Sequence, residues 1–165
     1  MKNMFSGFGF APTFNPELRG YTGRIFEREV LGECRVRAHG KMGFYASLKE
    51  VMRGQPSNTF EPMGETDRFY TAVCGQMRRK GLNPVGLQIY TAVGSSLDRF
   101  HGIDGFFSFE GIIVTVDCTI NPHKDVTKAR VLVTGEDFVA GYHDVAEDIA
   151  ARFKTAIHCG WKGVI

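Results

Sequence analysis

The chain has 165 residues, a length typical of a single domain, and 43% of them are hydrophobic, which is enough for a buried core. Its net charge of +2 neither requires nor excludes a nucleic-acid partner, because the placement of charge decides such binding. The sequence has no apolar run of the ~20 residues that a membrane-spanning helix needs, and it begins without a secretory signal pattern. Four widely spaced cysteines predict reduced thiols rather than a zinc or redox motif. We therefore expect a cytoplasmic protein with no membrane partner.

The first half of the chain predicts helices that follow an aromatic arm. The arm, residues 1–14, is rich in phenylalanine and glycine, and it either packs on the protein itself or captures a protein partner. Residues 24–31 have the mixed character of a strand or a helix, whereas residues 44–52 repeat apolar side chains at helical spacing. Thr66 predicts the N-cap of a further helix, whose last turn holds the basic run 78–80. Cations there either complement the helix dipole or bind phosphate.

The second half predicts a sheet and a closing helix. Four segments rich in β-branched and aromatic residues predict strands, at 87–93, 101–109, 112–120 and 129–134. Asp144 predicts the start of a last helix, with Glu147 completing a relaxed capping box. Helices, then a meander of strands, then a helix is the order of an α+β or mixed α/β protein. The fold class we predict is α+β, with a mixed central sheet that contains a β-meander and is flanked by helices.

Two aspartates are predicted to face each other across the hairpin of the second and third strands. With the turn centred on Glu110-Gly111, the register of an antiparallel pair places Asp104 opposite Asp117. Directly opposed side chains have Cβ atoms ~4.5–5.5 Å apart. Two ionised carboxylates at that distance repel, so the pair needs a shared proton, a neighbouring cation or a metal ion. Strand alternation turns Asp117 away from the apolar face of its strand, into a cleft or toward solvent.

A divalent metal is one remedy for this repulsion, and ordinary pairing is another. Hard carboxylate oxygens favour Mg²⁺, Mn²⁺ or Ca²⁺, and Asp98 adds a third acid just before the hairpin. Alternatively, Asp104 satisfies local amide donors, and Asp117 forms a solvated ion pair with Lys124 or Arg130. Acids with one or two lysines can hold a divalent ion against a phosphodiester, so the pattern also suits metal-dependent hydrolysis.

The segment Leu97–Phe107, followed by Val114–Thr119 and Lys124, resembles the metal-binding core of the PD-(D/E)xK nuclease superfamily. That core is a helix, a three-stranded meander, a helix and a further strand. An aspartate enters one of its strands, an acid-x-lysine lies on the next, and a preceding helix often adds an acid. The resemblance implies a restriction-endonuclease-like fold in the second half of the chain, although fold alone does not establish activity.

This resemblance also implies a domain plan and an order of ligands. Residues 1–165 would form a single domain, with an N-terminal extension and helices at 1–84 and a nuclease-like α/β core at 85–165. Asp104 would be the first metal ligand and Asp117 the second acid.

The chain departs from the family at the motif lysine, because Thr119 stands in its place. Lys124 or Lys128 would then supply the ammonium group. The helical acid has three candidates in this chain, which are Asp98, Glu50 and Glu65. The resemblance predicts catalytic roles for Asp104, Asp117, Lys124 and Lys128. It predicts binding of Mg²⁺ or Mn²⁺ by Asp98, Asp104 and Asp117.

The function implied is that of a divalent-metal-dependent endonuclease that hydrolyses phosphodiester bonds of DNA or RNA. Basic side chains and one histidine are predicted to contact the nucleic acid, namely Arg78, Arg79, Lys80, Arg99, His101 and Arg130. Two alternatives stay open. One is a non-catalytic nucleic-acid-binding module on the same fold, and the other is a protein-interaction or inhibitor module that uses the N-terminal arm. A homodimer is also left open.

Overall fold

A mixed sheet organises the fold. A computed structural model describes residue 18 and residues 20–55, 62–121, 123–124 and 127–165, and the aromatic arm lies outside them. Within these residues, the first three strands form an antiparallel meander, and the last two both run parallel to the third along its other edge. The mixed sheet and its meander are therefore as predicted. The strands are β1 (Gln88–Thr91), β2 (Gly105–Phe109), β3 (Ile112–Thr119), β4 (Val131–Thr134) and β5 (Gly163–Val164).

Helices flank this sheet, and they come before, within and after the strands in the chain. The segment 24–31, which fitted either a strand or a helix, is helical, and Thr22 caps it by accepting the N–H of Ile25. Within the described part of the chain, no helix has both the length and the apolar character needed to cross a membrane. The helices are α1 (Gly23–Leu31), α2 (Phe44–Gly54), α3 (Gly64–Arg79), α4 (Ser96–His101), α5 (Gly135–Ala140) and α6 (His143–His158).

The central strand β3 is buried on both faces because helices cover each side of the sheet. On one side, its apolar residues pack with α1, α3 and α6, including Phe69 of α3 and Phe153 of α6. On the other side, Phe106 and Ile113 pack with residues of α2 and α4. Burial on both faces is typical of a central strand between helical layers. Asp117 therefore points into a covered side of the sheet rather than toward solvent, with 6% of its surface exposed.

Two predicted helix caps are wrong. α3 begins at Gly64, so Thr66 is a buried residue inside the helix rather than its N-cap. α6 begins at His143 after Tyr142, and no side chain caps it, so Asp144 is not the cap. Tyr142 is fully buried and stacks on Phe69 with ring centroids 4.8 Å apart. Its burial therefore decides where α6 starts, as tertiary packing often overrides local propensity.

Helix α1 approaches the sheet closely at Gly105, the first residue of β2. A Cβ at this position would lie 2.8 Å from the carbonyl oxygen of Tyr90 and 2.9 Å from Cδ1 of Leu31. Carbon atoms pack best at about 3.5–4.0 Å, so a larger residue would push Leu31 and its helix away. Glycine here lets α1 bring its polar side next to the start of β2.

Candidate metal centre

The hairpin has the register that the sequence predicts. Gly105 pairs with Val116 at the end of the paired stretch, and Asp104 and Asp117 each lie one residue beyond it. The N–H of Asp104 donates to the carbonyl oxygen of Val116 at 3.0 Å, so Asp104 is bonded to the partner of Gly105 rather than to Asp117. Asp104 is 4% exposed and Asp117 is 6% exposed. The fold therefore buries two acids at the end of the sheet where β2 begins and β3 ends.

Two further acids reach Asp104 from helices on separate parts of the chain. Glu27 of α1, Asp98 of α4 and Asp104 each present a carboxylate oxygen, and these oxygens all lie within 4.8 Å of one another. Ser95 caps α4, and Asp98 accepts the N–H of Gly94 at 2.7 Å, which holds its carboxylate in place. We refer to Glu27, Asp98 and Asp104 as the acidic trio.

Hydrogen bonds hold Asp104 on both its main chain and its side chain. Its carbonyl oxygen accepts the N–H of Ala92 at 2.7 Å, and its Oδ2 accepts the N–H of Cys118 at 2.7 Å. The alternative prediction named local amide donors, but the amide that donates to the Asp104 side chain belongs to Cys118 of the neighbouring strand. Two amide donors and Arg24, which lies 3.9 Å from Asp98, do not balance three neighbouring carboxylates, so the trio also favours a proton or a metal cation.

The electrostatics of the trio favour a bound positive charge. Burial first, and then the charges of Glu27, Asp117 and Asp98, raise the pKa of Asp104 to about 8, against the lowering effect of the Cys118 N–H. Burial and then the charge of Asp98 also raise the pKa of Glu27, although Arg24 opposes this. At neutral pH the metal-free trio therefore holds a proton on Asp104. A metal ion that binds the trio would displace this proton.

Asp117 is held by a lysine and a threonine from the loop that follows β3. Lys124 Nζ lies 2.6 Å from Asp117 Oδ2, and the Thr127 hydroxyl donates to the same oxygen at 2.6 Å. The negative charge of Asp117 raises the pKa of Asp104 and of Glu27, so the ion pair lies close to the acidic trio. This is the ion pair predicted as an alternative, but it is buried at Asp117 rather than solvated. The metal-ligand role of Asp117 stays a prediction.

The second lysine candidate lies elsewhere. Lys128 is exposed, and its Cδ is 3.7 Å from the place where a Cβ of Gly102 would be, at the end of α4. Of the two lysines predicted to replace the one missing at Thr119, the structure joins Lys124 to an acid of the hairpin.

The donor set of the acidic trio fits a hard divalent cation. Carboxylate oxygens are the ligands that Mg²⁺ and Mn²⁺ prefer, and Mg²⁺ commonly takes one or two of them and keeps several water molecules. The partly exposed Glu27 and Asp98 leave one side of the trio accessible, whereas Asp104 is buried behind them. Such an arrangement can hold a cation and present it to a ligand from solvent.

Several predicted site residues have structural partners away from the trio. Glu50 pairs with His39, and Glu65 pairs with Arg68 and accepts the Tyr142 hydroxyl, so neither is the helical acid of this centre. His101 Nε2 lies 2.8 Å from the carbonyl oxygen of Met42. Because a carbonyl oxygen can only accept a hydrogen bond, the imidazole ring donates to it and joins α4 to the main chain at Met42.

The predicted basic residues separate into different surfaces. Arg79 contacts His143, and Lys80 lies 3.3 Å from Glu147, so the end of α3 is joined to the start of α6. Arg130 lines a groove beside α6, together with Arg152 and Trp161. Arg99 is exposed on α4, next to the trio residue Asp98. Of the predicted nucleic-acid contacts, Arg99 has the clearest relation to the acidic trio.

Sequence reasoning did not include Glu27 among the candidate acids. The segment 24–31 fitted two kinds of element, so no face could be assigned to Glu27. The pattern that could have indicated Glu27 is an acid beside apolar residues at helical spacing. These residues, Phe26, Val30 and Leu31, are all buried in the structure. Its distance from Asp98 and Asp104 is set by the packing of α1 at Gly105, which no local pattern encodes.

Comparison with protein-family models, with curated proteins and with solved structures finds no match for this chain. The relation to PD-(D/E)xK nucleases therefore remains a resemblance of motif.

The stability of the metal-free protein is expected to fall as the pH rises from about 4 to about 8. The carboxyl group of Asp104 titrates near about 3.9 in an unfolded chain, and its folded pKa is about 8. The folded state then holds a proton that the unfolded state has lost, so stabilisation is complete below the unfolded value and is lost as the pH passes the folded one. Urea denaturation in EDTA at several pH values measures the change. Asp104→Asn should flatten it, and a pH dependence that the substitution leaves intact would contradict the assignment.

Proposed function

We propose that this protein is a divalent-metal-dependent nuclease that hydrolyses phosphodiester bonds of DNA or RNA. The observation that carries the proposal is the meeting of three carboxylates, one of them buried with a raised pKa, beside a buried ion pair of a lysine and an aspartate. The family resemblance of the sequence is consistent with the same chemistry, and the restriction-endonuclease-like fold remains part of the proposal.

Each residue of the centre has a distinct task in this proposal. Glu27, Asp98 and Asp104 would hold a Mg²⁺ or Mn²⁺ ion. When bound there, the cation supplies positive charge to the scissile phosphate and lowers the pKa of a water molecule. Lys124 offers an ammonium group that stabilises negative charge developing on the phosphate or orients the attacking water. Asp117 positions that ammonium group, since its Oδ2 lies 2.6 Å from Lys124 Nζ.

Binding without catalysis fits the same observations less well. Phosphate and ionised carboxylates repel each other, so a surface that binds nucleic acid without a metal ion gains nothing from a group such as the acidic trio. The centre also contains a lysine held in a defined position, which simple charge attraction does not require. The protein-interaction alternative depends on the N-terminal arm, which lies outside the described residues.

A cleavage assay tests the proposal directly. Purified protein is incubated with single-stranded and double-stranded DNA and with RNA, in the presence of Mg²⁺, Mn²⁺ or EDTA. We expect cleavage with a divalent ion and none with EDTA. If none of these nucleic acids is cut with either metal, the proposed function is wrong.

Metal binding can be measured separately from cleavage, through stability. Saturating Mn²⁺ at about 100 times its dissociation constant is expected to stabilise the fold by about 2.7 kcal/mol, or roughly 5–10 °C in melting temperature. Glu27→Gln should reduce this shift by more than half, because it removes one of the trio's charged ligands. Glu29→Gln, an exposed acid on the same helix, serves as the matched control. Equal shifts in the two variants would remove Glu27 from the metal site.

A further inference from the structure

A recess lined by arginines lies directly beside the acidic trio. Arg24, Gly94, Asp98 and Arg99 form its walls, and its volume is about 350 Å³. That is far more than the ~30 Å³ share of one water molecule, so a phosphate group has room to enter. Asp98 belongs both to the recess and to the trio. A ligand in the recess would therefore lie next to the proposed metal.

Gly94 lets guanidinium groups approach the main chain at the recess. Its φ is +88°, and a Cβ there would lie 3.0 Å from Arg37 Nη1 and 3.5 Å from Arg24 Nη2. A side chain at this position would make the Arg37 guanidinium group shift by a few tenths of an ångström, since 3.0 Å is shorter than ordinary packing distances. Arg37 thus stands at the same glycine as the arginines that line the recess.

Three arginines lie around this glycine and its recess, and their ion pairs differ. Arg24 is only loosely paired with Asp98, with 3.9 Å between their closest atoms, and Arg37 shares Glu33 with Arg28. Arg99 has no ion-pair partner among the described residues. Arg24 and Arg37 are 53% and 60% exposed, so their donors can reach a ligand from solvent. Guanidinium groups gathered in this way suit an anion with several oxygens, because their paired donors match phosphate geometry.

We propose that Arg24, Arg37 and Arg99 form a binding subsite for a backbone phosphate adjacent to the scissile one. This inference rests on the proposed function and deepens it, because it specifies the class of substrate. A simple phosphodiester would occupy only the metal centre, whereas a polynucleotide strand would occupy the centre and the subsite together. The protein is then selective for polynucleotides over small phosphodiesters.

Binding provides the first test and does not depend on cleavage. A fluorescein-labelled single-stranded oligonucleotide is titrated in Ca²⁺ at several KCl concentrations, and its anisotropy is recorded. Arg99→Gln and Arg37→Gln are each expected to weaken binding about tenfold and to lower the salt slope by about 1, as expected for loss of one phosphate contact. Arg53→Gln, the same change at an exposed residue in the last turn of α2, is the matched control, and thermal melting checks that every variant folds. Unchanged affinity and slope in both recess variants would overturn the subsite.

Hydrolysis of two substrates separates this inference from the proposed function. For the recess variants, we expect kcat/KM to fall at least tenfold more with the oligonucleotide than with bis(p-nitrophenyl) phosphate, which has no second phosphate. If the parent protein hydrolyses both substrates and the variants lose the same factor in kcat/KM on both, the proposed subsite is wrong. The proposed nuclease function is then still supported. If the parent hydrolyses neither substrate but the recess variants lose oligonucleotide binding, the subsite stands and the hydrolytic function is wrong.

Discussion

The Asp104→Asn variant is expected to lose metal-dependent cleavage by about a thousandfold while folding at least as stably as the parent. Asparagine keeps an oxygen that can accept the Cys118 N–H, and it occupies the same volume. It removes the negative charge that the trio offers to a cation, and losing one such electrostatic contribution commonly costs about 10²–10³ in rate. The metal-free variant should gain stability near pH 8, because it no longer ionises a buried carboxyl group.

The assay compares initial cleavage rates of parent and variant, purified in the same way, so that a contaminating nuclease would be detected in both. Asp144→Asn is the matched control, since its side chain is 97% exposed and lies at the start of α6. Urea denaturation confirms that each variant is folded. If Asp104→Asn cuts as fast as the parent, Asp104 is not part of a catalytic metal centre.

The Lys124→Met variant is expected to lower kcat about a hundredfold with little change in metal binding. Methionine keeps the apolar stem of the side chain but removes the ammonium group that lies 2.6 Å from Asp117 Oδ2. A positioned cation acts on charge that develops in the transition state, so its loss should affect kcat more than KM. The stabilisation by Mn²⁺ should persist, because the trio is intact. The variant should also lose about 1–3 kcal/mol of stability, since a buried charge is left without its partner.

Three comparisons make this prediction specific. Lys128→Met is the matched control, because the other lysine candidate is exposed near Gly102. Lys124→Arg should restore part of the rate, since it returns the charge. In a double-mutant cycle, Lys124→Met and Asp117→Asn should be strongly non-additive, because one residue positions the other. Additive losses, or a full rate in Lys124→Met, would show that this lysine is not the counterpart of the motif lysine.

The hairpin could be predicted because its determinants are local. The turn at Glu110-Gly111 and the alternation of two neighbouring strands are enough to set the register, and the observed pairing of Phe109 with Ile112 agrees with it. The buried apolar faces of α3 and α6 were predictable for the same reason, because apolar residues at helical spacing can be recognised within a short stretch of sequence. The ion pair of Asp117 with Lys124 was predicted only as one of several alternatives.

The complete centre could not be predicted because it depends on long-range packing. Glu27 joins the trio only through the contact of α1 with the sheet, and no sequence window contains both partners of that contact. The short elements α5 and β5 were missed because a few residues carry no measurable periodicity. The caps at Thr66 and Asp144 were wrong because burial of neighbouring side chains outweighs the modest energy of a cap.

The approach of α1 to Gly105 also determines when this centre comes into existence. Glu27 and Asp104 are far apart in the chain, so their meeting requires the closure of a long loop, which is a slow and entropically costly event in folding. Before α1 docks, Asp98 and Asp104 have no third acid, and the chain lacks the full set of ligands for a metal ion. If the proposed function holds, a newly made or partly unfolded molecule is expected to leave nucleic acid uncut. For the proposed nuclease, completion of the tertiary structure would itself be the activation step.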